Sequence, residues 1–120
     1  MRKLSAFLLA GFVCCLGCSK PSAPQPIALD QIPNTVDTAF KGATEEIKTA
    51  ATGFTASVRN NDLPGAFEQL TDLTSRPDLT PEQRGIAARA MMSVAQNMRE
   101  AAAKGDQKAA EQLSRYQSSR

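Results

Sequence analysis

TPEQRGIAARAMMSVAQNMREAAAKGD, residues 80–106, is the stretch that decides the fold. Thr80 is placed to cap a helix, Pro81 suits its first position, and Gln83 completes a capping box three residues on. Ile86, Ala90, Val94, Met98 and Ala101 then recur at helical spacing, with Ala87 and Met91 beside them. Gly105 stands where a helix ends in a left-handed residue, and Asp106 can cap the next one. The spacing predicts a helix over about 81–104.

The same grammar extends in both directions. Downstream, a short helix over about 106–117 buries Ala109, Leu113 and Tyr116. Upstream, Asp62 caps a helix over about 63–75, with Pro64 in its first turn and Pro77 beyond its end. Its inward stripe is Leu63, Phe67, Leu70 and Leu73 or Thr74. Further back, Val36, Phe40, Ala43, Ile47, Ala50, Phe54 and Val58 form one apolar stripe, which predicts a single helix over about 34–60. Beside it Ala39, Ala43, Ala50, Gly53 and Ser57 form a row of mostly small side chains, where a neighbouring helix can approach closely. Lys41, Glu45 and Lys48 are spaced to pair on the wet face. Gly42, Gly53 and six threonines lower intrinsic helicity there, so this helix depends on packing. The fold class is therefore all-α, with four helices in two antiparallel hairpins that form a small bundle or a short αα-repeat array.

A faint repeat runs through the two hairpins. Glu68-Gln69-Leu70 recurs as Glu111-Gln112-Leu113, each after a tight turn capped by Asp. The arrangement is similar to tetratricopeptide-type helical hairpins in outline only. That family's Trp, Gly and Tyr signature is missing, and two units fall short of the ~3 a solenoid needs.

The N-terminus carries a different signal. Arg2 and Lys3 precede an apolar run from Leu4 to Leu16, the charged and apolar regions of a signal peptide. The run is too short to span a membrane, which takes about 20 apolar residues. Cys15-Leu16-Gly17-Cys18 resembles the lipobox of bacterial lipoproteins. Gly17 and Cys18 match the pattern, while Cys15 stands where an aliphatic residue is usual and Leu16 is bulkier than the common Ala or Ser. The resemblance implies cleavage between Gly17 and Cys18, removal of residues 1–17, and a palmitate-type acyl anchor in the lipid bilayer on Cys18. Ser19 after the cysteine implies the outer membrane, with the domain facing the periplasm. Residues 18–33 hold four of the seven prolines and read as an extended tether, on the order of 45 Å long at ~3.1 Å per residue. Ile27, Leu29 and Ile32 are apolar enough to pack back onto the domain at 34–120.

Composition narrows the function. The chain has 14 basic and 12 acidic residues. Two of the basic ones, Arg2 and Lys3, leave with the signal, so residues 18–120 carry no net side-chain charge. That balance weighs against nucleic acid as a partner, since displacing counterions takes surplus Lys and Arg. No histidine is present, and Cys14, Cys15 and Cys18 are the only cysteines. A zinc or redox centre has no ligands to draw on, so neither metal nor cofactor is expected. The carboxylates sit mostly at caps or beside lysines. Glu68 and Glu111 are the least explained and have Arg89, Arg99 and Arg115 as candidate partners. No phosphate loop, nucleophile elbow or paired-cysteine motif appears, and no enzymatic activity is expected.

Met91 and Met92 point about 100° apart on their helix, so at most one faces fully inward. The other is the best candidate for contact with a protein partner, because methionine adapts to irregular apolar surfaces. The composite expectation is a membrane-anchored lipoprotein with a small non-catalytic interaction module. The alternative is a structural cell-envelope lipoprotein.

Overall fold

The computed structural model describes residues 24–120. The expected signal segment, the cleavage site at Gly17-Cys18 and the first part of the tether lie outside the described residues. Five helices follow in chain order: α1 (Ile32–Ala39), α2 (Glu45–Arg59), α3 (Leu63–Thr74), α4 (Pro81–Ala103) and α5 (Gln107–Ser118).

The all-helical class matches expectation, but the single helix over 34–60 is two. Phe40 through Thr44 form a turn in which the Ala43 N–H donates to the Phe40 carbonyl. Thr44 is extended and caps α2 by accepting from the Ile47 N–H. Two features make Thr44 better as a cap than as a mid-helix residue. A β-branched hydroxyl residue loses rotamer freedom inside a helix, and Glu45 and Glu46 behind it complement the positive end of the new helix. The stripe continued across the break because Phe40 is still buried in the turn. Past the break the buried face rotates by about one residue: Ile47, Ala51, Phe54 and Thr55 point inward, whereas Ala50 and Val58 are half-buried.

α4 is the central element. It begins with the expected capping box: the Gln83 N–H donates to Thr80 Oγ1 at 3.1 Å and the Thr80 N–H donates to Gln83 Oε1 at 3.0 Å. Its inward face is Ala87, Ala90, Val94 and Met98, all at most 1 % exposed; Ile86 lies at the margin. α3 packs on one side of α4, α1 on another, and α5 along a third. α2 packs on α1 and α3, and its backbone stands off from α4. Gly53 and Ser57 of the small-residue row face α3, where Ser57 Oγ donates to Gln69 Oε1 at 3.1 Å.

The α2–α3 and α4–α5 junctions use the same kind of turn. After α2, the Asn61 N–H donates to the Val58 carbonyl and the Asp62 N–H to the Ser57 carbonyl; after α4, Gly105 donates to Ala102 and Asp106 to Ala101. Both are Schellman motifs whose outermost residue is also the N-cap of the next helix. Asn61 and Gly105 supply the left-handed residue, with φ of 57° and 101°. Asp62 and Asp106 accept from the Gly65 and Ala109 N–H groups. Gly65 leaves room for the cap, because a Cβ there would push the Asp62 carboxylate from its place. The Glu-Gln-Leu match is out of step with these turns by one residue. Leu70 is fully buried while Leu113 is only partly so, and the repeated element is therefore the turn.

The described part of the proline-rich segment is not a free tether. Ile27 is 5 % exposed, and Ile32 and Pro33 are buried. Arg89 Nε donates to the Gln25 carbonyl at 2.8 Å, and the Ser93 hydroxyl donates to the Ile27 carbonyl. Residues 25–31 thus run along α4 and deliver the chain into α1.

Two exposed ion pairs tie elements together. Arg59 meets Asp37 at 3.0 Å across α1 and α2, and Arg76 meets Glu46 at 2.8 Å. The hydrogen bond to Glu46 raises the pKa of Arg76 above the usual arginine value, so that end of the pair stays charged. Exposed pairs of this kind contribute about 0–1 kcal/mol each, and apolar packing dominates.

Two glycines separate local demands. Gly105→Ala should destabilise by about 1 kcal/mol, because its left-handed backbone resists a Cβ. Gly42→Ala should leave stability unchanged or raise it by about 0.4–1 kcal/mol, since it meets open space and restricts only the unfolded chain. Urea denaturation midpoints measure both.

Candidate functional site

The candidate site is a groove where α5 lies against α4 and α3. α5 buries a single residue, Ala109. A helix held by so small a side chain leaves space along its apolar flank, and that space measures ≈ 320 Å³. Phe67, Met91, Ala95 and Leu113 line its inner part, and Met92, Arg99 and Arg120 are exposed along its edge.

Each helix contributes by its own register. Met91 and Met92 diverge around α4 as their spacing requires. Met91 is half-buried, whereas Met92 is 42 % exposed, the one large apolar side chain of the described residues that is. Met98 belongs to the core at 0 % exposure. Arg99 follows Met92 and Ala95 along the same flank of α4, two turns down. From α5, Leu113, Tyr116 and Gln117 face the groove, and Arg120, just past the end of the helix, joins them. Tyr116 meets Phe67 edge to face, with ring centroids 5.1 Å apart and planes at 89°, a favoured aromatic geometry. The Arg120 guanidinium lies 5.3 Å from the centroid of the Tyr116 ring, within cation–π range.

The groove is electrostatically one-sided. Its nine lining residues include Arg99 and Arg120 and no Asp or Glu side chain. The other carboxylates singled out in the sequence lie elsewhere. Glu111 reaches Arg115 at 4.0 Å on the outer face of α5. Glu68 borders a separate shallow depression with Asp72 and Arg115. Arg89 is engaged by the leader rather than by Glu68.

Among the described residues no group of three His, Cys, Asp or Glu side chains converges, and every buried side-chain nitrogen or oxygen has a hydrogen-bond partner. Buried Thr55 donates to the Thr52 carbonyl, for example. Among those residues, too, no helix is long and apolar enough to cross a membrane. The arrangement offers adaptable apolar contact with cationic edges.

Met91 and Met92 were legible in the sequence. Tyr116 and Leu113 were legible only as interior residues, because period alone cannot tell a half-covered stripe from a covered one. Arg99 and Arg120 carry no sequence signal, since the groove between α4 and α5 is what brings them together. No protein-family model, curated protein or solved structure matches the chain.

The methionines should separate cleanly in stability measurements. Met98→Ala should cost about 2–5 kcal/mol by leaving a core cavity, whereas Met92→Ala should stay within about 0.5 kcal/mol of the parent. Chemical denaturation monitored by helical circular dichroism reads both.

Proposed function

We propose that the protein is a lipid-anchored lipoprotein of the cell envelope whose helical domain is a non-catalytic protein-interaction module. Cys18 would carry the acyl anchor after cleavage at Gly17, in the outer membrane, with the domain facing the periplasm. The anchor rests on the likeness of Leu16-Gly17-Cys18 to the lipobox. The observation that carries the module is the groove between α4 and α5. It combines an exposed methionine, an apolar floor and two arginines with no Asp or Glu side chain among its lining residues.

That chemistry fits a segment of another protein that presents an apolar side chain flanked by Asp or Glu. The apolar side chain would enter beside Met91 and Met92, and the carboxylates would meet Arg99 and Arg120. Methionine-lined grooves between helices suit amphipathic segments because the thioether side chain repacks at small cost.

Two measurements test the two halves separately. Cys18→Ser should abolish incorporation of radiolabelled fatty acid and release the protein from the membrane fraction; continued labelling overturns the anchor. A photo-crosslinking residue in place of Met92, in the anchored protein, should yield one dominant adduct. The same group in place of exposed Thr49 on α2 should yield none, and Arg99→Glu should remove the Met92 adduct. Equal adducts from both positions, or one indifferent to Arg99→Glu, rule out the groove as the docking surface.

A further inference from the structure

The leader's contacts with α4 limit how far the domain can stand from its anchor. We propose that residues 25–32 form a strap that fixes the anchor's exit point on α4 and holds that flank of the domain beside the lipid surface. This rests on Cys18 as the point of attachment.

The strap is tied at three places. Arg89 Nε and the Ser93 hydroxyl hold the Gln25 and Ile27 carbonyls, and the Ile27 and Ile32 side chains are buried in the core. Polar and apolar ties alternate along the segment, so it cannot peel away without exposing apolar surface and giving up the hydrogen bonds from Arg89 and Ser93.

The consequence is one of length. A tether running from Cys18 to Pro33 would reach on the order of 45 Å in extended form. With the chain tied down at Gln25, seven residue steps remain, which reach about 22 Å in the same form and no more than about 25 Å in any. The attachment point therefore lies closer to this flank than the width of a small domain. Shortening the tether also raises the effective concentration of the domain at the bilayer.

The strap also decides which face lies near the lipid. Arg89, Ser93, Gln96 and Asn97 share one flank of α4, along which the leader runs. Met92, Ala95 and Arg99 lie about a third of a turn round the helix, so the groove opens beside the lipid-facing flank rather than beneath it. α2 packs on α1 and α3, one remove from α4, and its Ala56 is exposed.

The test uses the chain from Cys18 onward, which keeps every described residue and in which Cys18 is the sole cysteine. Cys18 is coupled to a maleimide-headgroup lipid in phosphatidylcholine vesicles that also carry a dansyl lipid. Chemical coupling replaces cellular acylation, so the outcome is independent of whether the lipobox is processed. The chain has no tryptophan, and Gln96→Trp or Ala56→Trp provides a single donor. Energy transfer to the dansyl lipid should be severalfold stronger from position 96 than from position 56. Inserting about 18 Gly/Ser residues between Ser22 and Ala23 lengthens the free tether to about 27 Å root-mean-square and should erase that excess. Arg89→Ala combined with Ile27→Ser should erase it too, with the helical circular dichroism retained. The insertion alters no described residue, so the test stands even if the double variant misfolds. Equal transfer from the two positions without the insertion, or an excess that survives it, overturns the strap.

Discussion

Everything in this domain depends on the close packing of α4 against its neighbours. α1, α3, α5 and the leader all lie on it, and only α2 is held at one remove. The face that makes this possible is mostly alanine: Ala87, Ala90 and Ala95, with Val94 and Met98 between them. Small side chains let helix axes approach, and that brings the bulkier core residues of α2 and α3 into range. The same economy sets a limit. Alanine buries little area, and burial contributes roughly 25 cal/mol per Å², so the larger share of burial falls to Ile32, Val36, Phe54, Phe67, Leu70, Leu73 and Met98.

That limit explains where the groove lies. α3 turns Phe67, Leu70 and Leu73 into the core, all at most 2 % exposed. α5 turns only Ala109 fully inward, and beyond it Leu113 and Tyr116 remain half-covered. The groove is the space a weakly anchored helix leaves along a strongly anchored one. Tyr116 on Phe67 keeps that space from collapsing, and Arg120 over the same ring adds a charge at the edge. Local stability should be lowest where burial is least, which places the adaptable part of the molecule at the proposed contact surface.

The leader and the groove flank α4 on different sides, and together they give the domain a direction. One flank receives the chain that comes from Cys18, and another offers apolar contact with cationic edges. Under the proposed anchor at Cys18, a domain held this way would present its groove laterally, toward neighbours at the same height above a lipid surface.

Local grammar was legible in the sequence. The caps at Asp62, Thr80 and Asp106, the left-handed Gly105, and the registers of α3, α4 and α5 are all dictated within a turn or two of the chain, by hydrogen bonds and sterics that act locally. The lipobox likeness around Cys18 is equally a matter of sequence. The break at Thr44 was hidden because a buried Phe40 carried the stripe across the turn. Its signal, a threonine followed by two glutamates, was present and outweighed by periodicity. The remainder belongs to tertiary structure. The binding of Gln25 and Ile27 by Arg89 and Ser93 joins residues 64 and 66 positions apart, and no local rule couples them. Whether Tyr116 is covered or lines a groove depends on how far α5 stands from α4, a distance set by Ala109 and its neighbours. Sequence determined which helices form and where most of them stop, because those choices are local. Only the packed structure decided which apolar faces are fully covered, since that depends on distances between helices that no stretch of chain encodes alone.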